Sequence, residues 1–340
     1  MQVELYLLHK SAIMVLPQGV RRPKYDTFNT SVTTNFTQTI LPNIIQLINN
    51  PAISNRITLM SQELRDRMNE VNQADVNFNG TNTNPFVATN LAVINQVGLQ
   101  SVIDGYTAGK QISSLETAAG KYVEDIIPEY YGWTQVVSER NTPESEIDSR
   151  RINQGVLQLA ALKSGPACIN DTMSTGIADA IIAHHEYWRE QWAPNCNRIQ
   201  YVLGLNYSTA RKSNKKDFHA VRAAELQVIE AQLGTVTYSC LGIDNRTGQL
   251  IMARPRLEVE LNSGFVLEVI CSQGVGFWSL IGDEYTTLEI CCALALAAAG
   301  ELQSIPQPLF ETVPRNRLVC DQHIQWVRFF LNHFYDEIVD

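Results

Sequence analysis

The segment from Thr235 to Ser272 constrains the fold of this chain more than any other, because apolar and polar residues alternate along it. The alternating apolar positions are Val236, Tyr238 and Cys240 in one run and Leu257, Val259 and Leu261 in another. Successive side chains of a strand point to opposite faces, so this period of two predicts strands with one buried face. Stretches with helical periodicity lie on both sides of the segment. This order predicts an α+β protein in which a β domain is inserted into a helical one.

Turn residues divide the β segment into short strands. Asn262-Ser263-Gly264 separates Leu257–Leu261 from Phe265–Cys271, which predicts a β-hairpin whose glycine adopts a positive φ. Ile199–Tyr207 is predicted to be a further strand. Pro255 has no backbone N–H to donate, so we expect it at the start of a strand or at a sheet edge. Several short strands joined by turns favour an antiparallel β-sandwich of the jelly-roll kind, or a barrel.

The N-terminal part of the chain has the apolar periodicity of successive amphipathic helices. The apolar stripes are Phe36, Ile40, Ile44 and Leu47, then Met60, Leu64, Met68 and Val71, then Val87, Leu91, Ile94 and Gly98. Ser113 and Glu116 have the spacing of a capping box, which predicts a helix start at Ser113. Because proline disfavours helical geometry in the residue before it, Pro128 predicts that this helix ends near Ile127.

Helical periodicity returns after Asp283. Leu288–Ala299 is apolar on all sides, as in a helix buried in a core. A terminal helix is predicted from about Asp321, with one apolar stripe and an aromatic surplus that is either additional core or a contact surface. The stripe consists of Ile324, Val327, Leu331 and Phe334, and the surplus consists of Trp326, Phe329 and Phe330.

These patterns predict three parts of the chain. They are a helical part at 1–137, an inserted β-sandwich at 138–283, and a second helical part at 284–340 that completes the helical domain. A polar linker is expected from Ser138 to Arg151. Val156–Leu162 and Ile177–Trp188 are each compatible with a strand or a helix, because periodicity cannot distinguish the two in runs this short.

Composition limits the classes of partner. The 340 residues carry a net charge of −9, which should repel a nucleic acid backbone, and the densest basic run, from Arg211 to Lys216, is expected to be a solvated loop. Charged residues make up only 18% of the chain, against about 25% in typical globular proteins, which is compatible with burial in an assembly. The seven cysteines show no CxxC spacing, which favours free thiols in a reducing compartment. The longest apolar run, Ile290–Ala299, is shorter than a membrane span.

Four groups of residues are candidates for chemical sites. His184-His185-Glu186 lacks the one-turn spacing of zinc hydrolases, although one histidine could bind a metal at a symmetry axis. Gly109-Lys110 and Gly120-Lys121 lack the glycine and the hydroxyl residue that complete a phosphate loop. Cys320, Asp321 and His323 are too close in sequence for a triad, and Glu258 and Glu260 are expected to face solvent. We therefore predict no catalytic, cofactor-binding or metal-binding residues, and a protein that is not an enzyme.

Two stretches of sequence and the order of elements resemble a known family. Met1-Gln2-Val3-Glu4-Leu5-Tyr6 looks like that family's short helical start. Ala299–Leu302 through Ile305–Phe310 resembles its helix, proline-rich crossing and final helix. The family is that of the trimeric capsid shell proteins of the reovirus group, such as the rotavirus intermediate-layer protein and the orbivirus core-surface protein. Its members have a helical base formed by both chain ends and an inserted jelly-roll domain.

The resemblance implies a structural protein of a double-stranded RNA virus that is found in the virion and assembled in the host cytoplasm. It implies homotrimers that coat an inner capsid shell protein, with other outer capsid proteins as further partners, and no direct contact with nucleic acid. Three alternatives stay open from the sequence. They are a nucleocapsid or RNA-binding structural protein, an enzyme of a helical family with a β insertion, and a cytosolic adaptor.

Overall fold

A computed structural model of the chain describes residues 33–73, 89, 92–96, 98–137, 142–165, 168–192, 196–208, 216–243, 250–299, 321–335 and 337–340. The helices of these ranges are α1 (Leu41–Asn49), α2 (Pro51–Gln73), α3 (Leu99–Lys121), α4 (Asp171–Ile182), α5 (His185–Trp192), α6 (Lys216–Glu230), α7 (Gly274–Ile281), α8 (Thr286–Ala299) and α9 (Asp321–Leu331). The strands are β1 (Thr33–Asn35), β2 (Thr134–Gln135), β3 (Ser149–Asn153), β4 (Val156–Lys163), β5 (Arg198–Leu205), β6 (Gly234–Ile243), β7 (Leu250–Leu261), β8 (Val266–Gln273) and β9 (Glu337–Val339). Shorter helical turns are Phe36–Ile40, Tyr122–Ile126, Ile127–Tyr131 and Pro143–Glu146.

Seven strands form one mixed sheet in the order β2-β3-β4-β5-β8-β7-β6. The three central strands are parallel, because β4 pairs with β5 and β5 pairs with β8 in that sense, and the outer strands are antiparallel. The protein is thus a mixed helix-and-sheet protein of the α+β kind. The expected antiparallel sandwich is not what the described strands form. Parallel neighbours need a crossover, and α4, α5 and α6 provide such connections.

The two faces of the sheet are covered by different helices. The face formed by Leu157, Leu159, Tyr201 and the residues aligned with them packs against α4 and α6. The opposite face, which includes Ala160, Leu162 and Val202, packs against α7 and the turns at 122–131. At Gly204 the ring of Phe277 lies directly over the backbone, so any side chain there would overlap the ring. The central strands are therefore buried on both sides.

Helices from the two ends of the described chain pack together. Phe36, Ile40, Ile44 and Leu47 are buried, as the predicted stripe requires, against residues of α8 and α9 that include Cys291 and Leu331. β1 also pairs with β9 in parallel, and Asn35 Nδ2 donates to the backbone oxygen of Asp340 at 2.9 Å. The first and last described segments are thus held side by side.

Several local predictions are confirmed. β5, β6 and the β7–β8 hairpin lie where alternation predicted them, and Gly264 has a φ of +79°. α8 is buried along most of its length, and α9 begins at Asp321. The regular helical backbone before Pro128 ends with the π-helical turn at Ile126, close to the predicted position.

Other local predictions are wrong. The helix expected to begin at Ser113 begins at Leu99 and passes through Ser113. The Ser–Glu spacing of a capping box also occurs inside helices, so the spacing alone does not mark a helix start. Ile94 was expected on a buried face and is 76% exposed. Pro255 lies within β7 instead of at its start. It is opposite an irregularity in the β6–β7 pairing, and the β7–β8 pairing begins only at the next residue, Arg256. Its missing N–H therefore removes no regular hydrogen bond of the sheet. β3 overlaps the end of the expected linker. Of the two runs that were compatible with either element, Val156–Leu162 is a strand and Ile177–Trp188 is helical apart from the turn at 183–184.

Candidate functional site

The histidine pair is placed at the junction of two helices. His184 lies in the turn between α4 and α5, and His185 is the first residue of α5. The Nδ1 atom of His185 is 2.7 Å from the carbonyl oxygen of Ile182, so a local backbone contact occupies that nitrogen. Glu186 is exposed. The three residues form no shared metal-binding cluster in this geometry.

The remaining sequence candidates are separated by the fold. Both Gly-Lys pairs, at 109–110 and 120–121, lie within α3 instead of in a loop between a strand and a helix. Cys320 and most of the basic run from Arg211 to Lys216 lie outside the described residues. In the described part of the chain, no three His, Cys, Asp or Glu side chains are grouped so that they could hold a metal ion. None of the helices described is both long enough and apolar enough to cross a membrane.

A row of polar side chains crosses five adjacent strands of the sheet. The residues, at directly opposed positions, are Arg151 (β3), Gln158 (β4), Gln200 (β5), Glu268 (β8) and Glu258 (β7). Arg151 Nε donates to Gln158 Oε1 at 2.6 Å, and Gln158 Nε2 donates to Gln200 Oε1 at 2.6 Å. Gln200 Nε2 then donates to Glu268 Oε2 at 2.8 Å. A continuous chain of hydrogen bonds therefore runs from β3 to β8.

Two arginines neutralise the charge at the end of this row. The side chain of Glu268 is 2% exposed, and both Arg198, at 3.3 Å, and Arg256 form ion pairs with it. Arg198 also contacts Glu258 at 2.5 Å. Glu258 was expected to be solvent-facing and inert, and this is only half right, because Arg198 on β5, two strands away across β8, is its ion-pair partner. Glu260 is exposed as expected. A buried carboxylate needs such partners, because the loss of one would leave an uncompensated charge inside the sheet.

The other end of the row joins the sheet to α7. The guanidinium of Arg151 donates to the carbonyl oxygens of Leu280 at 3.0 Å and Ile281 at 2.8 Å, at the C-terminus of α7, and to that of Tyr131 at 3.3 Å. It also lies 4.5 Å from the centroid of the Trp133 ring. The last carbonyl groups of a helix have no partner within the helix and carry partial negative charge, so a cation there is favourable. Arg151 therefore fixes the position of α7 on the sheet.

A buried ion pair holds the helices together in the same way. Arg56 of α2 forms two hydrogen bonds with Glu289 of α8, at 2.7 and 2.6 Å, and the hydroxyl of Tyr131 donates to the same carboxylate at 2.8 Å. Glu289 is fully buried. Burial and the Glu289 carboxylate raise the pKa of Tyr131, which keeps this hydroxyl protonated as a donor. This cluster joins three segments that are distant in sequence.

An acidic cluster lies where the turn at 122–126 meets the sheet edge. Asp148 accepts a hydrogen bond from the backbone N–H of Leu162 at 2.6 Å and lies 3.8 Å from Lys163 Nζ. Burial raises the pKa of Asp148, and Lys163 opposes that effect. Burial and the Asp148 carboxylate raise the pKa of Glu124, on the facing turn, to about 7. We therefore expect the contact between this turn and the sheet to depend on pH.

The carboxyl edge of the parallel strands is where an α/β sheet usually binds a ligand. Ser164 Oγ lies 3.6 Å from Cys168 Sγ after β4, and Ser208 Oγ lies 3.3 Å from Gln273 Oε1 across the ends of β5 and β8. Tyr207 is 42% exposed beside them, and burial, Cys168 and Glu116 raise its pKa. Ser208 and Gln273 are buried and bonded to each other, so these two groups serve the packing of the strand ends.

An aromatic cluster on α9 forms an exposed apolar surface. The ring of Trp326 is stacked on that of Phe330 with centroids 5.7 Å apart, and Phe329 contacts both rings edge-on. Trp326 and Phe330 pack partly against the helical core, whereas Phe329 is 52% exposed. His333 continues the cluster, 5.1 Å from Phe329. The aromatic surplus of the last helix is therefore shared between core and surface.

The polar row was not predicted from the sequence. Its signal was present, since Gln158, Gln200 and Glu268 each interrupt an otherwise apolar strand. What was lacking was the register that places them opposite one another. In comparisons with known proteins, no family model and no curated protein matches this chain.

Proposed function

We propose that this chain is a structural subunit of the capsid of a double-stranded RNA virus and is not an enzyme. In this proposal it forms homotrimers that coat an inner capsid shell protein, and it is assembled in the host cytoplasm into the virion. The packed helices from both ends of the described chain take the role of the base. The family's sandwich is antiparallel and this sheet is mixed, so the proposal depends on the helices and on surface chemistry.

The observation that carries the proposal is the exposed aromatic cluster on α9. Aromatic residues are enriched at protein–protein interfaces, where they bury large apolar areas. Phe329 exposes half of its surface while two further rings hold it in place, which limits the side-chain entropy lost on binding. A rigid aromatic surface on the base would suit a contact with another shell subunit.

The charges of the described residues support an assembly role in a second way. Glu268 and Glu289, both buried, are each occupied by arginine partners that join distant segments. These ion pairs hold the subunit in one conformation, which a repeating shell requires. The net charge of −9 also favours a layer that does not bind the packaged RNA.

Light scattering on the purified chain, followed by negative-stain imaging, tests the proposal. A trimer that forms sheet-like arrays or particles supports it, and a monomer at all accessible concentrations contradicts it. An RNA-binding assay over a range of salt concentrations separates it from the nucleocapsid alternative, because phosphate contacts weaken steeply with salt. Strong, salt-sensitive RNA binding would also contradict the proposal.

A further inference from the structure

The two edges of the seven-stranded sheet differ in what they offer a partner. At one edge, β2 has only two residues, which leaves little backbone to pair with. At the other edge, β6 has ten residues and pairs, among the described residues, with β7 alone. An edge strand presents a row of unpaired N–H and C=O groups, so β6 is the longer template for another strand.

The first half of β6 lacks the usual protection of an edge. From Gly234 to Ile243 the strand contains no charged residue and no proline, the two residue types that most often prevent pairing at an edge. A register shift between Ser239 and Leu241 interrupts its pairing with β7. The regular part is therefore Gly234–Ser239, where Gly234 packs closely against the backbone of β7.

We infer that β6 pairs antiparallel with β6 of a second copy of this chain, across a two-fold axis. In such a pair, residues of the same short stretch face one another, so a charged residue would meet a like charge and repel it. β6 has none. Thr235 and Thr237 are exposed, and paired threonines are favourable across antiparallel strands, while Val236 between them is partly buried. The strand therefore suits its own copy, and the pairing would join two sheets into one.

This contact goes beyond the proposed trimer and is separate from it. A three-fold contact makes trimers, and a two-fold contact through β6 would connect subunits of neighbouring trimers into a layer. The two contacts can therefore fail independently in an experiment. A trimer that persists without β6 pairing supports the proposed function alone, and a dimer that depends on β6 supports this inference alone.

Thr237→Lys tests the inference, with Thr134→Lys as the matched control. Both threonines are exposed and lie at opposite edges of the same sheet. Light scattering over a range of concentrations should show that the two-fold dimer of Thr237→Lys forms only at about tenfold or more higher protein concentration, because the substitution brings one lysine from each copy close together across the axis. Thr134→Lys should behave as the wild type. Equal masses for wild type and Thr237→Lys at every concentration overturn the inference.

Residue-resolved hydrogen exchange of the wild type gives a second readout that does not depend on the variant folding. In an isolated edge strand only alternate amides are hydrogen-bonded, so the other amides between residues 234 and 239 should exchange fast in dilute protein. On self-association, these outward amides should slow by about tenfold or more. Unchanged exchange of the outward amides in the associated state overturns the inference, whatever the mass.

Discussion

Replacing Glu124 with glutamine should stabilise the protein at alkaline pH and change it little in mild acid. The carboxyl of Glu124 has a pKa of about 7 in the folded chain, against an ordinary value of 4.5, mainly because it is buried and also because Asp148 is near. Between these two pH values the folded chain binds more protons at this position than the unfolded chain does. The free energy of unfolding therefore falls as pH rises through this window.

The size of the effect follows from the two pKa values. Their difference of about 2.5 pH units sets an upper bound of about 3 kcal/mol at about 1.36 kcal/mol per unit. Because Glu124 is only partly buried, solvent screening reduces the expected effect to about 1–2 kcal/mol. This penalty is complete above about pH 7 and is mostly absent near pH 5. Glutamine has nearly the same shape and cannot ionise. The free energy of unfolding of Glu124→Gln should therefore exceed that of the wild type by about 1–2 kcal/mol near pH 8 and by less than about 0.5 kcal/mol near pH 5.

Urea denaturation at the two pH values measures the difference. Glu129→Gln is the matched control, because Glu129 is exposed on the next helical turn, and it should change the free energy of unfolding by less than about 0.5 kcal/mol at either pH. A Glu124→Gln variant with the same advantage at both pH values would contradict the reasoning. So would a wild type that becomes more stable, relative to the variant, between pH 5 and 8.

Three further substitutions test other contacts. Glu268→Gln should lower the free energy of unfolding by about 2 kcal/mol, because it leaves two arginines without their buried partner, whereas Glu260→Gln on the exposed part of β7 should be nearly neutral in the same urea titration. Gly204→Ala should lower the free energy of unfolding by about 1–3 kcal/mol, because the new methyl group would overlap the ring of Phe277. Gly109→Ala, with open space around it in α3, should raise the free energy of unfolding by about 0.5–1 kcal/mol. The opposite order would contradict the packing described. Phe329→Ser should weaken array formation, seen in negative stain, about tenfold. Ile94→Ser replaces another exposed apolar residue and should leave array formation unchanged. Equal effects of the two substitutions would show that the aromatic surface has no role in assembly.

Local patterns predicted the elements that depend on local rules. The β7–β8 hairpin followed from alternation and from Gly264, whose positive φ the turn needs. The apolar stripe from Phe36 to Leu47 was predicted from its helical spacing, and all four of its residues contact one core. These features are set by neighbours in sequence, so the sequence alone suffices for them.

The sheet could not be predicted because its pairing is not local. β4 is buried on both faces, which removes the alternation that marks a strand, and Val156–Leu162 was therefore ambiguous. Nothing in β5 alone shows that β4 and β8 lie beside it in parallel. Without that register, Glu258 was interpreted as an isolated surface acid, although Arg198 on a strand sixty positions away in sequence meets it. The polar row exists only once five strands are aligned.

The mass of the purified chain in solution tests the central claim most directly. Light scattering at increasing concentration should give a species of three times the chain mass of 38.1 kDa, which then associates further into arrays. A chain that remains at the mass of one subunit throughout the concentration range would contradict the capsid-shell proposal.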